Sequence, residues 1–322
     1  MNNIFEQNHA QSIVVSVIAP LFNEQDAMTL FLDRLKASLA GLNIAYEIIL
    51  VDDGSQDGTW EYIKKFAKED ATIKGISLSK NFGQQHALLA GLTFASGSAL
   101  VCMDGDLQHP PELIPQLFAA WQKGYKIVNT TRISNAKTSL FKRLTSKYFY
   151  KFFSFMSSVP IHEGTSDFRL IDRQVFNSIV HFRDVDFFIR GMVQWVGFST
   201  TSIPYQEQPR QFGQSKYNFF KMLKLALSGI IAFSSLPLKL GIWVGILTSF
   251  LAFLEVVYIL IKFFQGVTVP GWASTVGILS FLFGVLFILL GCIGIYLANI
   301  HEHLKNRPKF IVNEKVNICD PL

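Results

Sequence analysis

Two carboxylates one residue apart, Asp104 and Asp106, close an apolar run in the stretch Ser98-Ala-Leu-Val-Cys-Met-Asp-Gly-Asp-Leu-Gln-His-Pro-Pro-Glu112. The run Ala99 to Met103 reads as a buried strand, which would deliver both side chains to its carboxyl end. Carboxylates so spaced can converge on one divalent cation, Gly105 lets the backbone approach a ligand closely, and Gln108 offers a neutral oxygen. Mg2+ takes few protein ligands and fills its shell with phosphate oxygens and water, so this sparse set suits a metal-diphosphate complex. The same tripeptide also serves elsewhere as a solvated turn. The rest of the chain decides between the two.

The elements before this turn repeat one pattern. Ser12 to Ala19 is a β-branched run ended by Pro20, and Asn23-Glu24 opens an amphipathic helix through about Leu39. Tyr46 to Val51 is a second strand, closed by Asp52-Asp53-Gly54-Ser55, with a helix from Thr59 to Ala67. Ile73 to Leu78 is a third, followed by Asn81-Phe-Gly83 and a helix from Gln84 to Ala95. Strands alternating with helices at this spacing predict an α/β fold, a mostly parallel sheet with helices on both faces. Ligands in such sheets sit beyond the carboxyl ends of the strands, where Pro20 to Glu24, Asp52 with Asp53, and Asp104 with Asp106 would all lie. Polar clusters closing three strands of one sheet predict a nucleotide site.

Composition adds a membrane portion. Half of the 322 residues are hydrophobic and 30 are Phe, with the apolar excess after residue 235. The formal charge of +5 is too mild to argue for nucleic acid. Basic residues are unevenly spread, however, with no acidic residue from Arg132 through His162 or from Gln208 through Leu254, which suits anionic lipid or phosphate. Cys102, Cys292 and Cys319 are too scattered for a zinc site or a disulfide framework. Met1 to Gln11 lacks the basic and apolar regions of a cleaved signal peptide.

In order along the chain, Val17-Ile-Ala-Pro-Leu-Phe-Asn-Glu24, Val51-Asp-Asp-Gly-Ser-Gln-Asp57, Asn81-Phe-Gly83, Asp104-Gly-Asp-Leu-Gln-His-Pro-Pro111, Ser166-Asp-Phe-Arg-Leu-Ile171 and Arg210-Gln-Phe-Gly-Gln-Ser-Lys216 resemble the motifs of inverting family-2 glycosyltransferases with a GT-A fold. Among these the chain is most similar to the polyprenyl-phosphate glycosyltransferases, namely the bactoprenol glucosyltransferases and dolichol-phosphate mannose synthases. The resemblance implies that Pro20, Phe22, Glu24, Val51 and Asp53 line a nucleoside pocket. It implies that Asp104, Gly105 and Asp106 meet the diphosphate and a Mg2+ or Mn2+ ion, with Asp106 and Gln108 as ligands beside Asp104. Arg132 would reach the donor, and Arg210 and Lys216 would clamp phosphates. Asp167 stands where relatives keep an acid near the acceptor, either as a general base or as the salt-bridge partner of Arg169. Phe22 replaces a common Tyr and Gly105 a common Ala. His86, His109, His162 and His181 share no metal-ligand spacing.

Lys137 to Ser157 and Tyr217 to Ala232 mix aromatics with lysines at helical spacing, as helices lying in a membrane interface do. Leu236 to Phe264 and Trp272 to Ala298 are each long enough to span a bilayer, joined by Gln265 to Gly271, which lacks Lys and Arg. Lys239 at one end and Lys305, Arg307 and Lys309 at the other predict both termini and the first domain in the cytoplasm, and the resemblance implies a bacterial-type inner membrane. Glu255 and Lys262 share a face of the first span, and Gly277, Gly284, Gly291 and Gly294 in the second permit close helix contact and a homo-oligomer.

The expected organisation is a nucleotide-sugar-binding core over 1–132, an acceptor region over 133–235, a two-helix transmembrane hairpin over 236–300 and a tail over 301–322. The expected reaction moves one sugar from a nucleotide diphosphate sugar, UDP-glucose first, to polyprenyl phosphate. Two other classes compete. A processive polysaccharide synthase would carry a Gln-X-X-Arg-Trp segment, which is absent. A non-catalytic lipid-carrier or flippase subunit would keep the fold without transfer.

Overall fold

The computed structural model describes residues 13–133, 165–180, 189–206, 236–266, 271–305 and 307–318. The helices expected over Lys137 to Ser157 and Tyr217 to Ala232, together with His162, His181, Arg210, Lys216 and Cys319, lie outside them.

Four β-α steps open the chain. β1 (Val15–Leu21), β2 (Tyr46–Asp52), β3 (Ile73–Leu78) and β4 (Ala99–Cys102) alternate with α1 (Gln25–Ala40), α2 (Thr59–Glu69) and α3 (Gln84–Phe94), and α4 (Ile114–Gln122) follows β4. β1 pairs in parallel with both β2 and β4, and β2 with β3. Then β5 (Ile127–Arg132), β6 (Thr165–Asp172), α5 (Arg173–Ile179), α6 (Ile189–Trp195) and β7 (Thr200–Tyr205) extend the sheet. β6 runs antiparallel to β4 and β5, which leaves the sheet mostly parallel, as expected. After α7 (Leu236–Phe264) and α8 (Trp272–Leu304), β8 (Val312–Val316) returns to pair antiparallel with β3. The sheet order is β7-β5-β6-β4-β1-β2-β3-β8.

Strand alternation divides the core in two. Val15, Val17 and Ala19 face a layer with Phe31 and Leu35 of α1, Ile63 of α2 and Leu117 of α4. Ile18, between them, faces the other layer with Leu88 and Leu92 of α3 and Val175 of α5. Gly91 lets α3 lie close on that side, since a Cβ there would meet Ile18 Cγ2 at 2.4 Å. Cys102 is fully buried, and burial pushes its thiol up to about 12, outside the reactive range.

β1 continues through Pro20, where an end was expected. Pairing with β4 stops at Ile18–Cys102 while pairing with β2 runs on to Leu21–Asp52. The even residues of β1 bond toward β4, as the Met103 N–H does to the Ile18 carbonyl. The N–H that proline lacks would therefore point past the end of β4, and no ladder bond is lost.

Both C-terminal apolar segments are helical, but among the described residues only Gly277–Ala298 of α8, with mean hydropathy 2.8, is long and apolar enough to cross a membrane. Within the segment expected as a tail, β8 supplies an edge strand. The Trp60 indole donates to Glu314 at 2.8 Å, and the Asn317 amide donates to the carbonyls of Ala67 and Ile73.

Candidate active site

The loops that close β1, β2, β3 and β4 meet at one end of the sheet and brace one another. Asn23, at a left-handed φ of 56°, donates its N–H to Ser55 Oγ and accepts the Gln56 N–H on its side chain, each at 2.9 Å. The Glu24 N–H bonds Thr59 Oγ1 at 3.1 Å, and the Gly58 N–H bonds Gln25 Oε1 at 2.8 Å. The β1 and β2 loops are thus a single unit, with Phe22 and Glu24 half-buried on it. Gly54 turns at a φ of 69° hard against the β3 loop, where a Cβ would lie 2.5 Å from the Lys80 carbonyl carbon.

Asp52 and Asp53 are both buried beneath this junction. Asp52 accepts from the Ser55 N–H and the Ser77 hydroxyl. Asp53 accepts from the main-chain N–H of Phe82 at 2.7 Å and of Gly83 at 2.9 Å, pinning the Asn81-Phe-Gly83 loop that leads into α3. Burial pushes the Asp53 carboxyl above its usual range, against the pull of those two N–H groups. The Val51 side chain is fully buried with the α3 layer, so it belongs to the core.

The stretch after β4 alternates in exposure. Met103, Gly105, Leu107 and His109 are buried, whereas Asp104, Asp106 and Gln108 are partly open, so the three oxygen-bearing side chains each reach solvent. A Cβ at Gly105 would come within 2.2 Å of Leu21 Cδ2, so the glycine answers to packing against β1. Leu107, at φ 62° and buried, anchors the turn, and Asp106 accepts the Gln108 N–H at 3.2 Å. Gln84, the first residue of α3, donates its amide to Asp104. Among the described residues no group of three or more His, Cys, Asp or Glu is arranged to hold a metal. The donor set is two carboxylates and an amide oxygen, which fits a hard cation that arrives with phosphate and water ligands and does not fit a closed structural site.

Behind the turn, His109 is wholly buried. Its Nδ1 lies 3.0 Å from the Asp104 main-chain N–H and its Nε2 lies 2.9 Å from Ser166 Oγ on β6. The Tyr205 hydroxyl of β7 donates to that same Oγ at 3.1 Å, and Arg132 Nε donates to the Tyr205 oxygen at 3.2 Å. Next along β6, Asp167 and Arg169 are buried with 3.7 Å between carboxylate and guanidinium, and Arg169 also donates to the Ser166 carbonyl at 2.7 Å.

The fold therefore brings together Pro20, Phe22, Glu24, Asp53, Asp104, Gly105, Asp106 and Gln108 along neighbouring strands, with Arg132, Asp167 and Arg169 on the adjoining β5 and β6. Gln84 and Tyr205 were not expected in it. Gln84 could have been found as the first side chain of the helix behind Asn81-Phe-Gly83. Tyr205 carries no sequence signal, since it reaches Arg132 only through the parallel pairing of β5 with β7.

The family described as glycosyl transferase family 2 matches residues 16–180. An uncharacterised glycosyltransferase of Synechocystis is 40% identical over 304 residues, covering 94% of this chain and 96% of that protein. The SfII prophage-derived bactoprenol glucosyl transferase of Shigella flexneri is 35% identical over 93% of this chain and 97% of its own length, and a prophage bactoprenol glucosyl transferase homolog of Escherichia coli is 33% identical over 92% and 98%. A family model that matches residues 16–180, and relatives matched over nearly their whole length, lead to one conclusion: the chain belongs to glycosyl transferase family 2 and is a glycosyltransferase.

Proposed function

We propose that the enzyme transfers a single sugar, with inversion at the anomeric carbon, from a nucleotide diphosphate sugar to polyprenyl phosphate at the cytoplasmic face of a membrane, with UDP-glucose the first donor to test. The observation that carries this reading is the meeting of the β1, β2 and β4 loops, with Asp52 and Asp53 buried below and Asp104, Asp106 and Gln108 facing outward. Relatives named bactoprenol glucosyl transferases, matched nearly end to end, supply the acceptor class.

The Pro20, Phe22 and Glu24 loop and Asp53 would receive the nucleoside. Asp104, Asp106 and Gln108 would hold Mg2+ or Mn2+, which neutralises charge on the departing diphosphate. Arg132 on β5, with Arg210 and Lys216 beyond it in the chain, adds cations for the phosphates. The acceptor phosphate is already an anion at neutral pH, so its oxygen forms the new bond to the anomeric carbon while the sugar's bond to the diphosphate breaks, without a strong base. Asp167, 3.7 Å from the Arg169 guanidinium, then serves to orient that arginine.

Chain topology supports two spans. β3 and β8 lie in one sheet, so the chain leaves that domain before α7 and rejoins it after α8. If Gly277–Ala298 crosses a bilayer, the start of α8 is on the far side and the segment before it must also cross. The 29 residues of α7 reach about 43 Å at about 1.5 Å each, enough to do so. Large apolar side chains such as Trp243, Phe253, Phe281 and Phe287 are exposed along both helices, as lipid contact requires. Gly277, Gly284, Gly291 and Gly294 leave open space where a second copy of the chain would pack.

The test is direct. Full-length protein in detergent, given Mg2+ or Mn2+, polyprenyl phosphate and a panel of labelled nucleotide sugars, should move label into butanol-extractable lipid and lose that activity on chelation. Label released only as free sugar, or incorporated into long polymer, overturns the acceptor assignment.

A further inference from the structure

We propose that His109 is a positioning residue: fixed in one tautomer, it clamps the main chain of the carboxylate turn to a hydrogen-bonded chain through Ser166 and Tyr205 that ends on Arg132. The inference deepens the reading of the site given above and rests on it for its functional consequence.

The tautomer follows from the partners. A main-chain N–H only donates, so the Nδ1 atom 3.0 Å from the Asp104 amide accepts and carries no proton. In the neutral ring the proton is then on Nε2, directed at Ser166 Oγ, 2.9 Å away. That oxygen also receives the Tyr205 hydroxyl at 3.1 Å on its second lone pair, and the Tyr205 oxygen in turn receives Arg132 Nε. The ring is held flat as well, stacked on Phe168 with centroids 5.4 Å apart and edge-on to Tyr205 at 6.2 Å. One buried side chain thereby joins the residue that begins the metal-binding turn to the arginine at the end of β5. The two ends have separate consequences. The Nδ1 end sets where the Asp104 backbone sits, hence the affinity of the turn for a nucleotide-bound cation. The Nε2 end sets where Arg132 sits, hence charge stabilisation as the diphosphate departs.

Two substitutions separate the ends, because Asn places an acceptor near the Nδ1 position and Gln places a donor near Nε2. In the full-length protein in detergent, calorimetric titration with UDP and Mn2+ should find His109→Gln weakened about tenfold, the loss of one hydrogen bond worth about 1.4 kcal/mol. His109→Asn should lose only about threefold in that affinity, the share Arg132 has in holding the free diphosphate, yet turn over about tenfold more slowly, and Tyr205→Phe should copy that kinetic pattern. The 15N spectrum of histidine-labelled protein, with the His109 signals identified by their loss in a variant, should read Nε2 protonated and Nδ1 bare without any ligand. Equal UDP-Mn2+ affinity in the Asn and Gln variants, or a protonated Nδ1, overturns the proposal. If neither His109 variant folds, Tyr205→Phe decides, and parental turnover there overturns it too. A parent protein that binds no UDP with Mn2+, yet has the stated tautomer, sinks the donor assignment and leaves the clamp standing.

Discussion

Replacing Asn317 by Ala should release β8 from the sheet. The Asn317 amide serves two main-chain carbonyls, Ala67 at 2.6 Å and Ile73 at 2.9 Å, from a left-handed φ of 57°. The residue is solvent-exposed, so water replaces much of what the amide gives, and the two bonds together contribute about 1 kcal/mol. Alanine at that φ costs about 1 kcal/mol more. The sum, about 2 kcal/mol, corresponds to opening about thirtyfold more often. Hydrogen exchange followed by mass spectrometry should record that acceleration in peptides covering Val312–Val316 and the facing Gly75–Leu78, with α1 unaffected. Asn317→Gly removes the backbone penalty and should accelerate exchange only about fivefold. Parental exchange in the Ala variant would refute the assignment of the amide as the strand's anchor, and equal rates in the Ala and Gly variants would refute the backbone share.

Three further outcomes are expected. Asp106→Ala should lose transfer by at least about a hundredfold while its melting temperature stays near that of the parent, because the side chain faces outward from the turn; parental rates would remove it from the cation site. Gly54→Ala should cost about 2 kcal/mol or more, since the new methyl meets the Lys80 main chain at a φ of 69°, and should weaken nucleotide binding as the Asn81-Phe-Gly83 loop shifts; unchanged affinity would detach that loop from the site. Asp172→Asn should destabilise by about 2 kcal/mol in chemical denaturation at neutral pH. Burial opposes the Asp172 carboxylate, but the Gln174 N–H, the Trp121 indole and the Lys126 ammonium together hold its pKa below the usual 3.8. Its stabilisation is therefore complete above the unfolded value and fades as pH falls through the lowered one, so the gap between variant and parent should close in acid; a gap that persists there would refute the pairing.

Legibility in the sequence followed the range of the forces involved. β3 was readable to the residue because Ile73, Ile76 and Leu78 give an apolar segment between the polar Thr72 and Ser79, and the acidic turns after β2 and β4 announced themselves by residue type. The reversal of β6 was not readable. Thr165–Asp172 looks the same in either direction, and its orientation is set by long-range pairing with β4 and β5. β8 was hidden because Val312-Asn-Glu-Lys-Val316 has neither length nor strong alternation, and it becomes a strand only on the edge that β3 offers. The site shows the same division. Asp104, Asp106 and Gln108 stand close together in the chain and are all partly open, whereas the Tyr205 contact with Arg132 spans 73 positions and needed the folded sheet. At Gly105 the sequence did not announce Leu21 of the neighbouring strand, whose side chain lies where a Cβ would go.

The place of β8 has a consequence for biosynthesis. A ribosome releases the chain from its amino terminus, so β1 to β7 emerge early, yet the edge of β3 stays uncovered until residues 312–316 appear. Both long apolar helices are made in between and must find their surroundings first. The last strand of the sheet thus takes its place only after both apolar helices have left the ribosome, so completion of the domain that carries the candidate site waits on their synthesis.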